Sequence, residues 1–452
     1  MLSGRGDREV KSTLFPLPES PKPGCGEAEA PRAPRLQTAN RAQVELRPVD
    51  LEGLLPADHR ARLVWQFVAG LDLSELYGQI RAVEGHAGRP PIDPKILMAL
   101  WLYATLEGVG SARALARLCE QHDAYRWIVG GVSVNPHTLS DFRVGHVEAM
   151  DRLLTQSVAA LLKAGAVALQ RVAQDGMRVR ASAGAASFRR KKTLRRCLRE
   201  ARAQVQALRR ELEADPGATE RRQQAARQRA AEDRTRRVEK ALEAMPEVAA
   251  KKPAAEREEK ARVSTTDPEA RVMKMADGGY RPAYNAQLAT DTGSQVIVGV
   301  EVTHAGSDQG QLGAMRAQLR DRYGREPEAM LVDGGFAKLE EIEAAHGAGC
   351  VVYAPLMQPR DASRDPYRPL PRDGPGVAAW RVRMGTEEAK AIYKERAATA
   401  ECVNALSRNR GLHQLPVRGR LKAKAILLWQ ALAQNLMRSF ALGVPIRAPV
   451  RA

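Results

Sequence analysis

Two short apolar segments of the chain each end at an aspartate directly followed by glycine, and this pairing narrows the possible folds. In RVAQDG, Asp175 precedes Gly176, and in AMLVDGGF, Asp333 precedes two glycines. Short apolar runs bounded by glycine indicate buried strands of a mixed or parallel sheet, and ligands of open α/β sheets bind where strands end. Each pair alone also fits a tight Asp-Gly turn, so the aspartates gain functional meaning only if they meet in space.

The order of elements around the two aspartates predicts that they do meet. From residue 171 the sequence predicts a strand with Asp175, a charged helical stretch, a hairpin at 284–303, a helix, the Asp333 strand, a helix, a strand and a long helix from Thr386. Without the charged stretch, this is the order of an RNase H-like fold, an α/β fold with a mixed sheet flanked by helices. In that fold the first strand lies beside the strand that follows the first helix, so Asp175 and Asp333 would be neighbours.

Two neighbouring carboxylates predict a cation site. They repel each other unless cations lie between them, and hard divalent ions such as Mg²⁺ or Mn²⁺ prefer oxygen ligands. Two such ions about 4 Å apart serve phosphodiester chemistry, and a third carboxylate is expected on the long helix. At about 100° per residue, Glu401 shares an arc with Tyr393, Arg396 and Arg408, so Glu401 is the candidate third acid. Arginines beside it suit DNA phosphate.

The charge of the chain predicts a polyanionic partner. The 452 residues carry a net charge of +18, which favours nucleic acid, with an anionic membrane surface as the other possibility. No apolar run reaches the roughly 18 residues of a spanning helix, and the N-terminus lacks the apolar core of a secretory signal. Five dispersed cysteines without CxxC spacing argue against a disulfide framework and a zinc ribbon. These features predict a cytoplasmic protein, with nucleic acid as the default partner.

Two regions outside the sheet have patterns of their own. Residues 46–165 are predicted to form a helical, helix-turn-helix-like DNA-binding domain, with helices capped at Ser111 and Asn135; an ordinary helical bundle is the alternative. Residues 188–262 contain 23 Lys and Arg against 13 Asp and Glu. They predict a basic helical or coiled-coil insertion, broken at 215–217 and near Pro246, that either lies along DNA phosphate or is merely solvated.

The remaining regions complete the domain plan. Residues 1–45 are rich in proline, glycine and charge, which predicts a disordered tail. The segments 171–187 and 263–440 would together form the catalytic domain. Residues 177–183 alternate as a half-buried strand does, with Arg178 and Arg180 on its outer face as candidate DNA contacts.

Across residues 48–440 the chain resembles the DDE transposases of bacterial insertion sequences, of the kind with an InsH-type N-terminal domain. The N-terminal part of the resemblance rests on GRPPIDPKILMALWLYATLEGVGSARALARLCEQHDAYRWIVGG and NPHTLSDFR. The catalytic part rests on QDGMRVRASA, YNAQLATD, VTHAGSDQGQL and LVDGGF, and on a Tyr-Arg-Glu-Lys-type segment read as Tyr393, Arg396, Glu401 and Arg408. The last position is arginine where the family has lysine.

The resemblance implies that Asp175, Asp333 and Glu401 are the catalytic acids and hold two Mg²⁺ or Mn²⁺ ions. It implies cleavage and strand transfer at the terminal inverted repeats of an insertion sequence, a target DNA, and a homodimer on DNA in the bacterial cytoplasm, at the nucleoid. A structure-specific nuclease on the same fold and a catalytically inactive DNA-binding relative are the alternatives. A purely structural basic coiled-coil protein would not need the three acids.

Overall fold

The computed structural model describes residues 42, 44, 50–82, 90–214, 221–359 and 364–444. The chain divides into two units, Met1–Pro48 and Val49–Ala452, and every helix and strand named below belongs to the second. The predicted disordered tail, 1–45, lies outside the described residues except for positions 42 and 44.

In the first part of the second unit, the described regular elements are all helices. After a 3₁₀ turn at Glu52–Leu54, its helices are α1 (Arg60–Ala69), α2 (Ser74–Gly78), α3 (Pro94–Leu106), α4 (Ala112–Gln121), α5 (Asp123–Val129), α6 (Pro136–Gly145) and α7 (Val147–Lys163). The cap predictions are confirmed, since Ser111 accepts a hydrogen bond from the Ala114 amide and Asn135 accepts one from the Thr138 amide. Almost the whole of α3 is buried, as its apolar residues on every side predict.

The described residues that follow contain eight strands, and six of them form one mixed sheet. The strands are β1 (Arg171–Arg180), β2 (Phe188–Arg189), β3 (Val263–Ser264), β4 (Arg271–Lys274), β5 (Tyr280–Asp291), β6 (Ile297–Thr303), β7 (Ala329–Leu331) and β8 (Val351–Tyr353). The sheet has the order β4-β5-β1-β7-β8, with β6 also paired to β5, while β2 and β3 pair separately. The central strand β1 runs antiparallel to β5 and parallel to β7. The predicted mixed sheet is therefore confirmed.

The two Asp-Gly pairs have different structural roles, which the sequence analysis did not predict. Gly176 does not end a strand, because β1 continues through it to Arg180 and pairs Gly176 with Gln287. Asp333 follows β7 and begins a 3₁₀ turn at Gly334–Phe336, where its carboxylate accepts a 2.7 Å hydrogen bond from the Gly335 amide. Only the second pair is therefore a turn.

The basic region between β2 and β3 is a hairpin of two long helices, α8 (Lys191–Ala214) and α9 (Arg221–Ala250), followed by a 3₁₀ turn at Ala254–Glu256 and α10 (Arg257–Lys260). Leu194 of α8 packs with Val238, Ala241 and Met245 of α9 in a small core of their own. The predicted break near Pro246 is wrong, because α9 continues through this residue to Ala250. The predicted break at 215–217 lies outside the described residues.

Helices on the faces of the sheet complete the fold. They are α11 (Gln311–Tyr323), α12 (Leu339–Gly347), α13 (Pro375–Met384), α14 (Glu387–Arg396), α15 (Cys402–Asn409) and α16 (Arg420–Ala441), with a π-helical turn, Ala397–Glu401, between α14 and α15. Helix α16 joins the two regions, since it packs on α3 and α7 and also on β6. Its Asn435 exchanges two 2.8 Å hydrogen bonds with the backbone of Ile297. None of the described helices is long and apolar enough to cross a membrane.

Candidate active site

The sheet brings the two aspartates to the same place. The parallel register pairs Ala173 with Leu331, and Asp175 and Asp333 each lie two residues further along their segments. Both carboxylates approach the guanidinium group of Arg396, whose Nη2 lies 2.9 Å from Asp175 Oδ1 and 4.0 Å from Asp333 Oδ2. Asp175 is more enclosed, with 16% of its side chain exposed against 40% for Asp333.

Glu401 reaches the same guanidinium from the other side. Its Oε1 lies 3.1 Å from Arg396 Nη1, while 59% of the Glu401 side chain remains exposed. The three acids proposed from the sequence therefore surround one buried cation. The pKa of Arg396 lies above its ordinary value: burial lowers it, but Asp175, Tyr393, Asp333 and Glu401 together raise it further.

A π-helical turn makes the contact between Arg396 and Glu401 possible. In a regular α-helix, residues five apart point about 140° away from each other. The segment Ala397–Glu401 is π-helical, with i→i+5 hydrogen bonding that brings residues five apart onto one side. The irregular turn thus explains the five-residue spacing of the two side chains.

Asn404 is a site residue that the sequence analysis did not select. Its Nδ2 donates a 2.8 Å hydrogen bond to Asp175 Oδ2, on the opposite side of the carboxylate from Arg396. The Asn404 Oδ1 atom is buried without a hydrogen-bond partner in the described structure. The sequence could have pointed to Asn404, because at about 100° per residue it lies on the same helical arc as Tyr393 and Glu401.

The environment of the site raises the pKa of two groups, Asp175 and Tyr393. Burial is the main reason why the pKa of Asp175 lies above its ordinary value; Arg396 opposes this shift and the charge of Asp333 adds to it. Burial also raises the pKa of Tyr393, again opposed by Arg396, and the three carboxylates add to the increase. The Tyr393 hydroxyl therefore keeps its proton at neutral pH and can donate a hydrogen bond.

Asp308 holds a polar cluster directly behind Asp175. Ser307 and Asp308 stand in the sequence just before a helical stretch, where an N-cap is expected, but α11 begins at Gln311 after Gly310 and has no side-chain cap. The Asp308 carboxylate instead turns into the sheet, where Asn285 and Gln287 of β5 donate hydrogen bonds of 2.6 and 2.8 Å to Oδ1. This sheet contact could not be read from the local sequence.

The four predicted DNA contacts other than Arg396 have different environments. Arg178 is not free on an outer face, because it donates to Asp308 Oδ2 at 2.8 Å and to the Gly306 carbonyl at 3.2 Å. Arg180 and Arg408 are exposed and form no ion pair within the described ranges. Tyr393 is half-buried beside the acids.

The donor set at this site consists of carboxylate oxygens, the ligands that hard divalent cations prefer. Within the part of the chain that the structure describes, no group of three or more His, Cys, Asp or Glu side chains has the spacing of a formed metal site. The Arg396 guanidinium lies within 4.0 Å of all three carboxylates. Three anionic groups gathered around one cation nevertheless fit a divalent ion chemically.

Comparison with known families matches two separate regions of the unit. A transposase domain (DUF772) matches residues 49–144, and a transposase DDE domain matches residues 261–436. Asp333 and Glu401 lie inside the second range, whereas Asp175 precedes it. No curated protein and no solved structure matches the chain. With both transposase domains on one chain around an RNase H-like sheet, the protein belongs to the DDE transposases of insertion sequences, enzymes that cleave DNA and transfer its strands.

Proposed function

We propose that the transposase performs metal-dependent cleavage and strand transfer at the terminal inverted repeats of an insertion sequence, with Asp175, Asp333 and Glu401 as its catalytic acids. The observation that supports this most directly is the gathering of these carboxylates around the Arg396 guanidinium, from three separate segments of the chain. A merely structural ion pair would need one carboxylate, and two of these three remain substantially exposed.

The three acids would hold two Mg²⁺ or Mn²⁺ ions. When bound, such ions activate an attacking oxygen and stabilise the leaving oxygen of a phosphodiester. Arg396 neutralises the carboxylates in the absence of ions. Once its guanidinium moves away from the carboxylates, it is well suited to bind a DNA phosphate. Asn404 holds Asp175 in place through the hydrogen bond to Oδ2.

One set of acids can serve both reactions. Hydrolysis at the end of the element breaks one P–O bond and leaves a 3′-hydroxyl group on the element. In strand transfer the oxygen of that hydroxyl forms a new bond to a phosphorus atom of the target DNA, and the bond from that phosphorus to the target's own 3′-oxygen breaks. Both steps are in-line displacements at phosphorus, so they place the same demands on the site. Tyr393 would position the end of the DNA through its protonated hydroxyl, while the exposed Arg180 and Arg408 contact phosphates.

Arg178 serves a different role in this proposal from the one predicted from the sequence. Its ion pair with Asp308 holds the polar cluster behind Asp175 rather than the DNA. It therefore acts as a positioning residue for the strand that carries the first acid.

The other regions supply DNA affinity. Helix α8 of the 188–262 insertion carries a row of exposed basic side chains at helical spacing that have no carboxylate partner in the described structure: Lys192, Arg195, Arg199 and Arg210. Unpaired cations on one helix face suit the regularly spaced phosphates of double-stranded DNA, and their contribution would depend on salt. The helical domain, residues 46–165, would recognise the terminal repeats, with two copies of the chain on two DNA ends at the bacterial nucleoid.

The test is mobility of a marked element, carried with its native ends, in cells that express the wild type or Asp333→Asn. We expect transposition with the wild type and none with the variant, because an amide cannot replace a carboxylate that holds a divalent ion. Asp175→Asn and Glu401→Gln should behave alike. Asp321→Asn is the matched control, because this acid is 76% exposed on α11 and should leave mobility unchanged.

Purified protein and labelled end DNA separate the alternatives. Mg²⁺-dependent cleavage without strand transfer would favour a structure-specific nuclease. DNA binding without any cleavage would favour an inactive relative. Undiminished transposition by Asp333→Asn would refute the assignment of the acids.

A further inference from the structure

A cavity of about 100 Å³ lies between the helical region and the segment that joins α15 to α16. None of the three proposed catalytic acids lines it. Its walls include Trp101, Gly108, Arg143, Arg410, Trp429 and Gln430. Both transposase domains therefore contribute to it.

Arg143 is a buried cation in this wall without a carboxylate partner. Only 7% of the residue is exposed, and its guanidinium lies 4.6 Å from the centre of the Trp101 ring. One nitrogen, Nη1, donates to the Gly110 carbonyl, but Nε is buried and has no partner in the described structure. Burial lowers the pKa of Arg143 to about 10, and no acidic group opposes this effect.

Two more polar side chains of the wall, Arg410 and Gln430, also lack a charged partner in the described structure. Arg410 is half-buried and donates to Gln434 Oε1 at 3.0 Å; burial lowers its pKa, and the charge of Arg60 lowers it further. Gln430 is 5% exposed, and its Oε1 is buried without a partner. Rotation of the amide by 180° would present its NH₂ group at the same position, so Gln430 can act as a donor.

The charges of the cavity are therefore unbalanced. Two arginines line it, and none of its lining residues is an aspartate or glutamate. Buried cations are normally paired, because an uncompensated charge in a protein interior is costly. An anion inside the cavity would supply the missing partner. A single water needs about 10–15 Å³ of cavity space, so the cavity has room for one small oxyanion.

We propose that this cavity binds one phosphate-class oxyanion, held by the guanidinium groups of Arg143 and Arg410 and by the amide of Gln430. Free phosphate and a phosphate of the DNA backbone share this chemistry. The site is separate from the acids around Arg396, so it stands or falls independently of their proposed roles.

Gln430→Glu is the decisive variant, because it places a carboxylate of nearly the same shape inside the cavity. Calorimetric titration with inorganic phosphate, against chloride at matched ionic strength, should saturate at one phosphate per wild-type chain. In the variant the new carboxylate forms ion pairs with the arginines of the cavity, so phosphate affinity should fall about tenfold or more. The phosphate-free variant should also melt at a higher temperature than the wild type. A Gln430 that only fills the core would produce the opposite shift, since the variant would bury an unpaired charge.

Two further variants make the result specific. Arg410→Gln removes one of the proposed ligands and should also weaken phosphate binding about tenfold or more, the value of a hydrogen bond to a charged group. Arg199→Gln removes one unpaired arginine from the exposed face of α8 and should leave this binding unchanged. Repeating the titration with saturating end DNA identifies the source: a DNA phosphate in the cavity would abolish phosphate uptake, whereas a free-phosphate site would retain it. The proposal is overturned if the wild type takes up no phosphate saturably, or if Gln430→Glu and Arg410→Gln bind it as the wild type does.

Discussion

Replacement of Arg396 by methionine tests whether this residue is the internal counter-ion of the three acids. Methionine keeps most of the length and removes the charge. Losing one partner of a buried ion pair costs about 3–5 kcal/mol, and losing an exposed one costs about 0–1 kcal/mol. Arg396 and Asp175 are 10% and 16% exposed, while Asp333 and Glu401 are much more open. Since Asp175 retains its hydrogen bond from Asn404, we expect a loss of about 2–3 kcal/mol at pH 7 without metal.

The pH dependence of this loss follows from Asp175. A carboxyl group whose pKa is raised on folding contributes stability below its unfolded-state pKa, and this contribution disappears as the pH rises through the folded value. Burial already raises the pKa of Asp175 against the opposing effect of Arg396, so removing Arg396 should raise it further. The stability difference between wild type and variant should therefore shrink as the pH falls and Asp175 becomes protonated.

The assay is urea unfolding of both proteins at several pH values, with and without Mg²⁺. Because the variant leaves three carboxylates without a cation, Mg²⁺ should stabilise it more than it stabilises the wild type. Arg171→Met is the matched control, since Arg171 lies on the same strand as Asp175 but pairs with Glu395. The reasoning is refuted if Arg396→Met is as stable as the wild type at pH 7, or if Mg²⁺ stabilises both proteins equally.

Two other predictions concern the strand behind the site and the basic insertion. Gly176→Ala should lose about 1–3 kcal/mol on urea unfolding, because a Cβ atom there would overlap Asp308 Oδ1 and lie 2.5 Å from Gln287 Nε2. Gly184→Ala, with no atom within 4 Å of its Cβ, should change little, and equal stabilities of the two variants would contradict the packing argument. Replacing Lys192, Arg195, Arg199 and Arg210 together by glutamine should flatten the dependence of log K on log salt for duplex DNA by up to about 4 × 0.9 units. An unchanged slope would show that α8 does not touch DNA. As an internal control, Mg²⁺ should stabilise this four-residue variant as much as it stabilises the wild type.

The parts of the fold that were predictable are those that depend on local patterns. The alternation of β5 and β6 and the turn after Asp291 indicate a hairpin, and the Asp291 carboxylate stabilises that turn by accepting from the amide and hydroxyl groups of Ser294. The placement of Asp333 near Asp175 followed from strand order, because parallel neighbours in this topology share a register. Neither inference needed knowledge of a distant side chain.

The incorrect predictions arose where tertiary contacts override a local signal. Pro246 normally interrupts a helix, yet α9 continues because the buried Met245 and Val248 on either side hold it against its hairpin partner. Asp308 has the sequence context of a helix cap, but the amide groups of Asn285 and Gln287 provide better partners in the sheet. These donors come from a strand about twenty residues earlier, so nothing beside Asp308 in the sequence reveals them.

The spacing of Arg396 and Glu401 best illustrates how the site depends on an irregular backbone. A uniform rotation of about 100° per residue places them at the two edges of one broad arc, too far apart to touch. The π-helical turn brings them within 3.1 Å, and Thr399 within it donates a 2.7 Å hydrogen bond to the Glu395 carbonyl. Such turns are weaker than regular helix and have no strong sequence signature, so they persist mainly where function requires them. The irregular turn is therefore itself a reason to assign Glu401, rather than the regularly placed Glu395 that pairs with Arg171, to the acidic site.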